Sequence, residues 1–206
     1  MVDLFNYTRR TSSVAHVGEL DLGGNNPIRI QSMTTTNTND TEACVRQAEE
    51  IIKAGGELVR FTTQGSREAE NMKNINAGIR ADGFTTPLVA DIHFNPNVAD
   101  VAALYCEKVR INPGNYVDPA RKFIKQEYTD EEYAHELQKI EDRFVPFLNI
   151  CKEHHTAIRI GVNHGSLSDR IRNRYGDTPE GIVESCLEFL RICKKENFHD
   201  VVISIK

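Results

Sequence analysis

The chain has 206 residues, of which 27% are charged and 39% hydrophobic, with a formal net charge of −5. That balance excludes a disordered chain, which needs fewer apolar residues and more net charge, and a general nucleic-acid binder, which needs a basic face to neutralise phosphates. No stretch approaches about 18 consecutive apolar residues, so no membrane span is expected, and the opening MVDLFNYTRRTSS has no apolar run of signal-peptide length.

Residues 1–26 read as an N-terminal arm and hairpin: a strand-like piece from Ser13 to Asp21, then a turn at Gly23 and Gly24. From residue 27 to residue 206 strand-like and helix-like segments alternate. The predicted strands are Ile28–Met33, Leu58–Thr63, Leu88–His93, Lys108–Asn112, Ala157–Asn163 and Asp200–Lys206. The predicted helices are Thr41–Lys53, Arg67–Arg80, Pro96–Tyr105, Glu131–Glu153 (broken near Pro146) and Pro179–Lys195. Asp40 or Thr41 can cap the first helix, Ser66 the second with Glu70 nearby, and Thr178 before Pro179 the last. The run Glu127–Glu141 reads as the solvated face of an insertion helix.

Strand and helix in alternation imply parallel strands joined by crossover helices, in an α/β fold. A doubly wound sheet and a TIM-type (β/α) barrel both fit. A barrel has eight strands, and six are read here, with the sequence stopping at the last residue of the sixth. The expectation is a barrel with about six of its eight βα units in this sequence. Its first and sixth strands would be open edges, which invite self-association into a homo-oligomer.

Five cysteines, an odd number with no C-x-x-C pair, read as reduced and mostly buried thiols of a cytoplasmic protein. They lack the spacing of iron–sulfur ligands, so no metal site is expected in this chain. His154 and His155 suit the dipole of a helix end better than a metal.

Successive strand side chains point to opposite faces. Strands covered by helices on both faces would be apolar at every position, yet these strands alternate. Val59 and Phe61 oppose Arg60 and Thr62; Val109 and Ile111 oppose Arg110 and Asn112; Ile158, Ile160 and Val162 oppose Arg159, Gly161 and Asn163. Leu88, Ala90 and Ile92 oppose Val89, Asp91 and His93, Ile28 and Ile30 oppose Arg29 and Gln31, and Val201, Ile203 and Ile205 oppose Val202, Ser204 and Lys206. If the apolar parity meets the helices, Arg60, Arg110, Arg159 and Lys206 point into the barrel. Lone ions there cost several kcal/mol each. Asp91 is expected to offset one of them; an anionic ligand with two or more charges would offset the rest, arginine being suited to bidentate phosphate contact. The competing reading makes the arginines structural, satisfied by carboxylates and backbone carbonyls. The polar runs at the strand ends, such as Asn112-Pro113-Gly114-Asn115 and Asn163-His164-Gly165-Ser166, fall where barrel active sites lie.

The segments IRIQSMTTTNTNDT, LVRFTTQG, LVADIHFNP, KVRINPGN, IRIGVNHGSLSDRI and VVISIK, in this order, resemble the N-terminal barrel of the 4-hydroxy-3-methylbut-2-enyl diphosphate synthase family from about Val14 to Lys206. The long segment Tyr116–Glu141 and the run SDRIRNRYGD resemble the longer, plant-like subfamily. The resemblance implies an oxidoreductase of non-mevalonate isoprenoid biosynthesis, acting on 2-C-methyl-D-erythritol 2,4-cyclodiphosphate. Two electrons open the ring by cleaving a C–O bond, and a hydroxyl leaves as water. It implies a [4Fe–4S] cluster held by a separate iron–sulfur domain outside this chain, fed by ferredoxin or flavodoxin, so that this chain alone would be inactive. It carries substrate binding onto Arg60, Arg110, Arg159, Lys206 and Asn163. Asp91, His93 and Asn112 line the same mouth, with Asp91 and His93 as possible catalytic groups and Gly114 and Gly165 in tight turns. The runner-up is a pterin-binding barrel enzyme related to dihydropteroate synthase, whose flat heterocycle calls for neutral amides and an aspartate instead of many cations.

Overall fold

The computed structural model describes Asn6 and residues 10–93, 95–118 and 127–206. Most of the expected N-terminal arm and the middle of the Tyr116–Glu141 segment lie outside the described residues. An antiparallel hairpin, β1 (Val14–Val17) and β2 (Leu20–Gly23), precedes a six-stranded parallel sheet. The sheet order is β3 (Gln31–Met33), β4 (Leu58–Thr63), β5 (Leu88–Ile92), β6 (Lys108–Ile111), β7 (Ala157–Val162) and β8 (Val201–Ile205). Each strand lies beside its sequence neighbour throughout. That is barrel order; a doubly wound sheet reverses at a switch point.

Among the described residues six α-helices accompany the strands: α1 (Thr41–Lys53), α2 (Ser66–Ala81), α3 (Pro96–Ala103), α4 (Asp130–His154), α5 (Asp169–Tyr175) and α6 (Pro179–Lys195). They cover one face of the sheet. Val59, Phe61, Ala90, Ile92, Val109, Ile111, Ile158, Ile160 and Val162 are buried there among Met72, Ile75, Val98, Phe144, Phe147 and Phe189 from the helices. The sheet curls around its other face. Lys108 on β6 donates to the Gln31 side chain on β3 at 3.2 Å, although three strand spacings of about 4.8 Å separate those strands along the sheet. The result is a half-barrel, concave on the polar face.

The hairpin closes the N-terminal end of that concavity. Val17, fully buried, packs on Leu58, Val89 and Ala157, with Leu20 and Leu22 half-buried beside them. The Asp200 carboxylate accepts from the His16 backbone N–H at 2.8 Å and pins the hairpin beside the start of β8. The concave parity is therefore apolar at its base, where Leu58, Val89 and Ala157 meet the hairpin.

Several expectations need correction. Ser13–Asp21 is two strands of a hairpin. The first sheet strand starts at Gln31, and Ile28 and Ile30 are 89% and 60% exposed, so they do not face helices. Ile203 and Ile205 on β8 are likewise exposed. α2 is capped at Gly65, not Ser66, and Glu68, not Glu70, accepts from the Gln64 and Gly65 N–H groups. α3 ends at Ala103. α4 runs unbroken through Pro146; the lost N–H costs one helical bond, while Phe144, Phe147 and Leu148 bury the turn against the core. The short helix α5 had no counterpart among the predicted elements. Asp40, accepting from Ala43 N–H at 3.0 Å, and Thr178 cap α1 and α6 as expected.

Candidate functional site

Strand register decides which side chains meet. Thr62, Asp91, Arg110, Arg159 and Val202 stand side by side across five strands on the concave face. One row nearer the hairpin stand Met33, Arg60, Val89, Lys108 and Ala157. Arg60 rises from the lower row to pair with Asp91 of the upper one. Asp91 also accepts from Arg110 at 3.2 Å and meets His93 Nε2 at 3.2 Å. One carboxylate thus serves two arginines, where the sequence reading allowed it one.

Among the described residues the concave face carries four cationic side chains, Arg60, Lys108, Arg110 and Arg159, against the single carboxylate of Asp91. Arg159 has a hydroxyl as its hydrogen-bond partner, its Nε donating to Ser204 Oγ at 2.9 Å. Arg60 Nε is buried with no partner. Burial depresses the guanidinium pKa of Arg159, and repulsion from Arg60 and Arg110 adds to it. Burial likewise depresses Arg110, against the pull of Asp91. Burial alone would raise the Asp91 carboxyl; the hydrogen bond with His93 and the charges of Arg60 and Arg110 outweigh it and hold the group at about 2. A face with three positive charges to spare, closed below by an apolar plug, is suited to a compact polyanion.

Gly161 makes room for this arrangement. A Cβ at Gly161 would sit 2.4 Å from Arg110 Nε. The bare backbone lets the guanidinium lie across β7, where Arg110 Nη2 donates to the Gly161 carbonyl at 3.0 Å.

Two 3-10 turns, Pro113–Asn115 after β6 and His164–Ser166 after β7, form the rim. Asn112 and Asn163 cap them, accepting from Gly114 N–H at 3.2 Å and Gly165 N–H at 2.9 Å. Asn112 also donates to Ser166 Oγ at 2.7 Å, tying one turn to the other. The turns touch at Gly114, where a Cβ would meet the Ser166 carbonyl oxygen at 1.8 Å. Gly165 is under no such constraint; its Cβ would find only an ordinary contact with Asn163. Lys206 follows β8, continues the register beside Asn163, and is exposed.

Behind the rim lies a buried ion network. Arg170 on α5 binds Glu188 of α6 through two nitrogens, each at 2.7 Å, and Asp118 at 3.0 and 3.2 Å. Tyr133 of α4 donates to Glu188 at 2.6 Å and lies under the Arg170 guanidinium, 4.8 Å from centroid to carbon. Asp118 sits just after the β6 turn and Arg170 just after the β7 turn, so Arg170 fixes both rim segments to the helical layer.

The structure thus joins Arg60, His93 and Arg110 through Asp91, with Arg159 beside Arg110 in the register and Asn112, Asn163 and Lys206 at the mouth. Sequence reasoning missed Lys108, which shares the parity of Arg110 and Asn112 but stands at the strand start, and missed the long-range partners of Arg170. The five cysteines are all buried and unpaired. Burial raises their thiols, Cys186 to about 11 and Cys193 to about 12. No group of three or more His, Cys, Asp or Glu among the described residues could hold a metal ion. The described donors therefore do not fit an iron–sulfur cluster.

Comparison with known proteins gives both fold and family. The 7,8-dihydropteroate synthase of Vibrio fischeri superposes with a TM-score of 0.58 over 93% of this chain and 66% of that chain, at 13% identity. A truncated 3-deoxy-D-arabino-heptulosonate 7-phosphate synthase from Thermotoga maritima gives 0.56 over 94% and 56%, at 10% identity. These likenesses concern the barrel fold alone. The chain is 75% identical over 205 residues to the 4-hydroxy-3-methylbut-2-en-1-yl diphosphate synthase (flavodoxin) of Phocaeicola vulgatus and 74% identical to that of Bacteroides thetaiotaomicron. It is 68% identical over 202 residues to that of Parabacteroides distasonis. It covers 100% of itself but 33% of the Phocaeicola and Bacteroides relatives, so it spans about a third of their length. Residues 11–206 match the family described as the GcpE TIM-barrel domain. With barrel strand order, a cationic concave face and this match over nearly all its length, the chain belongs to the GcpE TIM-barrel family.

Proposed function

We propose that residues 27–206, preceded by the arm and hairpin of residues 1–26, form the substrate-binding barrel of a 4-hydroxy-3-methylbut-2-enyl diphosphate synthase. The reaction is reductive opening of 2-C-methyl-D-erythritol 2,4-cyclodiphosphate, with cleavage of a ring C–O bond and loss of a hydroxyl as water. Flavodoxin, which the relatives' names carry, is the proposed electron donor, with ferredoxin as the alternative. A [4Fe–4S] cluster finds no ligand set among the described residues, and no step of electron transfer is assigned to them. Their work is to bind and orient.

The observation that carries this reading is the excess of cations over one carboxylate on the concave face. A cyclic diphosphate is a compact dianion. Arg60, Arg110 and Arg159 would grip its phosphoryl oxygens, with Asn163 and Lys206 reaching from the rim. The energetic role is positioning and charge compensation. Asp91 holds two arginines in place, and His93 orients Asp91. A pterin has too little negative charge for these groups.

Calorimetric titration of the intact protein with the cyclodiphosphate tests the reading. Binding is expected, weakened about 10- to 100-fold by Arg159→Gln, the loss of one charge-assisted contact. Equal affinity in the variant would contradict it.

A further inference from the structure

Lys108 is the cation that the arginine reading leaves unused. It is 3% exposed. Its Nζ has a neutral partner, the Gln31 side-chain oxygen at 3.2 Å, and among the described residues no carboxylate lies within ion-pair distance. It stands in the same register row as Arg60, one row below Asp91, Arg110 and Arg159. The charges acting on it are those of Arg159 from β7 and Arg60 from β4, and Asp91 of β5 and Arg110 of its own strand stand in the next register row. Asp91 is already committed to Arg60 and Arg110.

A buried ammonium with one amide acceptor has two donors left over. Nothing apolar on the hairpin satisfies them, and the arginines repel the charge. We infer that Lys108 is a further binding group of the same site, the floor of the anion pocket, which donates to the innermost phosphoryl oxygen of the bound diphosphate. This rests on the proposed diphosphate reading and extends it by adding a residue whose charge depends on occupancy. Burial first, and then repulsion from Arg159 and Arg60, lower the free Lys108 to about 8. A dianion overhead adds an attraction that offsets both the burial and the repulsion and raises the ammonium toward its ordinary range. Binding above neutral pH therefore draws a proton from solvent onto Lys108.

Proton uptake by the intact protein is the test, measured by calorimetry at pH 8.5 in two buffers of different ionisation enthalpy. The probe is 2-C-methyl-D-erythritol 2,4-cyclodiphosphate, whose phosphoryl groups, each with one ester and one anhydride link, have no proton to exchange near that pH. For a pKa moving from about 8 to above 10, wild type is expected to take up about 0.7 of a proton per ligand. Lys108→Arg, which keeps the charge but does not titrate, should bind with uptake abolished. Lys108→Gln should lose the uptake and about 10-fold or more in affinity. Wild-type binding with no proton uptake would overturn the role of Lys108 and leave the arginine site standing. So would uptake and affinity unchanged in Lys108→Gln. Absence of wild-type binding would overturn the diphosphate reading itself, and the Lys108 role with it.

Discussion

Gly161 and Arg110 occupy the same space in turn: the guanidinium rests where a side chain at 161 would stand, with Nε 2.4 Å from the position of a Cβ. The same glycine accepts the Arg110 Nη2 hydrogen bond through its carbonyl at 3.0 Å. The inward parity of β7 is thus built as cation, gap and amide in Arg159, Gly161 and Asn163, and the gap belongs to a residue of the neighbouring strand.

Gly161→Ala should therefore act on the ligand site more than on the fold. The added methyl forces Arg110 off β7 and away from Asp91. Affinity for the cyclodiphosphate is expected to fall about 10-fold, on the order of 1.4 kcal/mol. Calorimetric titration of the variant checks this, with circular dichroism showing an unchanged helix content.

Asp91 links stability to acid. Its folded pKa of about 2 lies below the ordinary 3.8, so the carboxylate contributes stability that is fully present above about pH 4 and fades as pH falls toward 2. The shift corresponds to about 2 kcal/mol. Asp91→Asn leaves Arg60 and Arg110 without their shared counter-charge and should cost about 3–5 kcal/mol at pH 7. Urea midpoints at pH 7 and pH 3 test both statements. The gap between wild type and variant should narrow at pH 3 and below.

Lys108 should show the opposite sign in the unliganded protein. Its folded pKa of about 8 lies below the ordinary 10.5, so holding the charge opposes folding below pH 8, and the penalty disappears as pH rises from 8 to 10.5. Lys108→Met is expected to raise stability by about 2–3 kcal/mol at pH 7, seen as a higher melting temperature without ligand. The advantage should shrink by pH 10. A stabilising substitution at the floor of a binding site, with weaker ligand affinity, is the trade expected of a functional charge.

Arg170 carries the rim. Arg170→Met would strand the Asp118 and Glu188 carboxylates in a buried site and should cost about 3–5 kcal/mol. Arg170→Lys keeps the charge but cannot reproduce the fork on Glu188, so it should recover only part of the loss. Urea unfolding of the two variants gives the ranking wild type, lysine, methionine; equal stability of all three would remove Arg170 as the clamp.

Much of this was legible in the sequence because two periods carry it. Alternation along β4, β6 and β7 gave the helix-facing and concave faces, and with them Arg60, Arg110 and Arg159, without any knowledge of partners. Caps at Asp40 and Thr178 were readable for the same local reason. What failed was non-local. Ile28 and Ile30 look like strand core, yet burial depends on what packs over them, and they are exposed. Asp91 reaches two arginines because β5 lies between β4 and β6 and the register sets Arg110 beside it and Arg60 one row below, which parity alone does not show. Lys108 sits at the first position of β6, where a cation reads as a strand end in solvent; only the hairpin beneath it makes that position an interior one. The Arg170 network joins residues 118, 133, 170 and 188, and no local pattern announces it.

The most direct measurement is a crystal structure of the intact protein with 2-C-methyl-D-erythritol 2,4-cyclodiphosphate bound. Phosphoryl oxygens within hydrogen-bond distance of Arg60, Arg110 and Arg159, on the concave face above Lys108, are the expected result. A ligand seated elsewhere, with those guanidinium groups still held by Asp91, Gly161 and Ser204 alone, would make the inward cations structural and contradict the proposed diphosphate site.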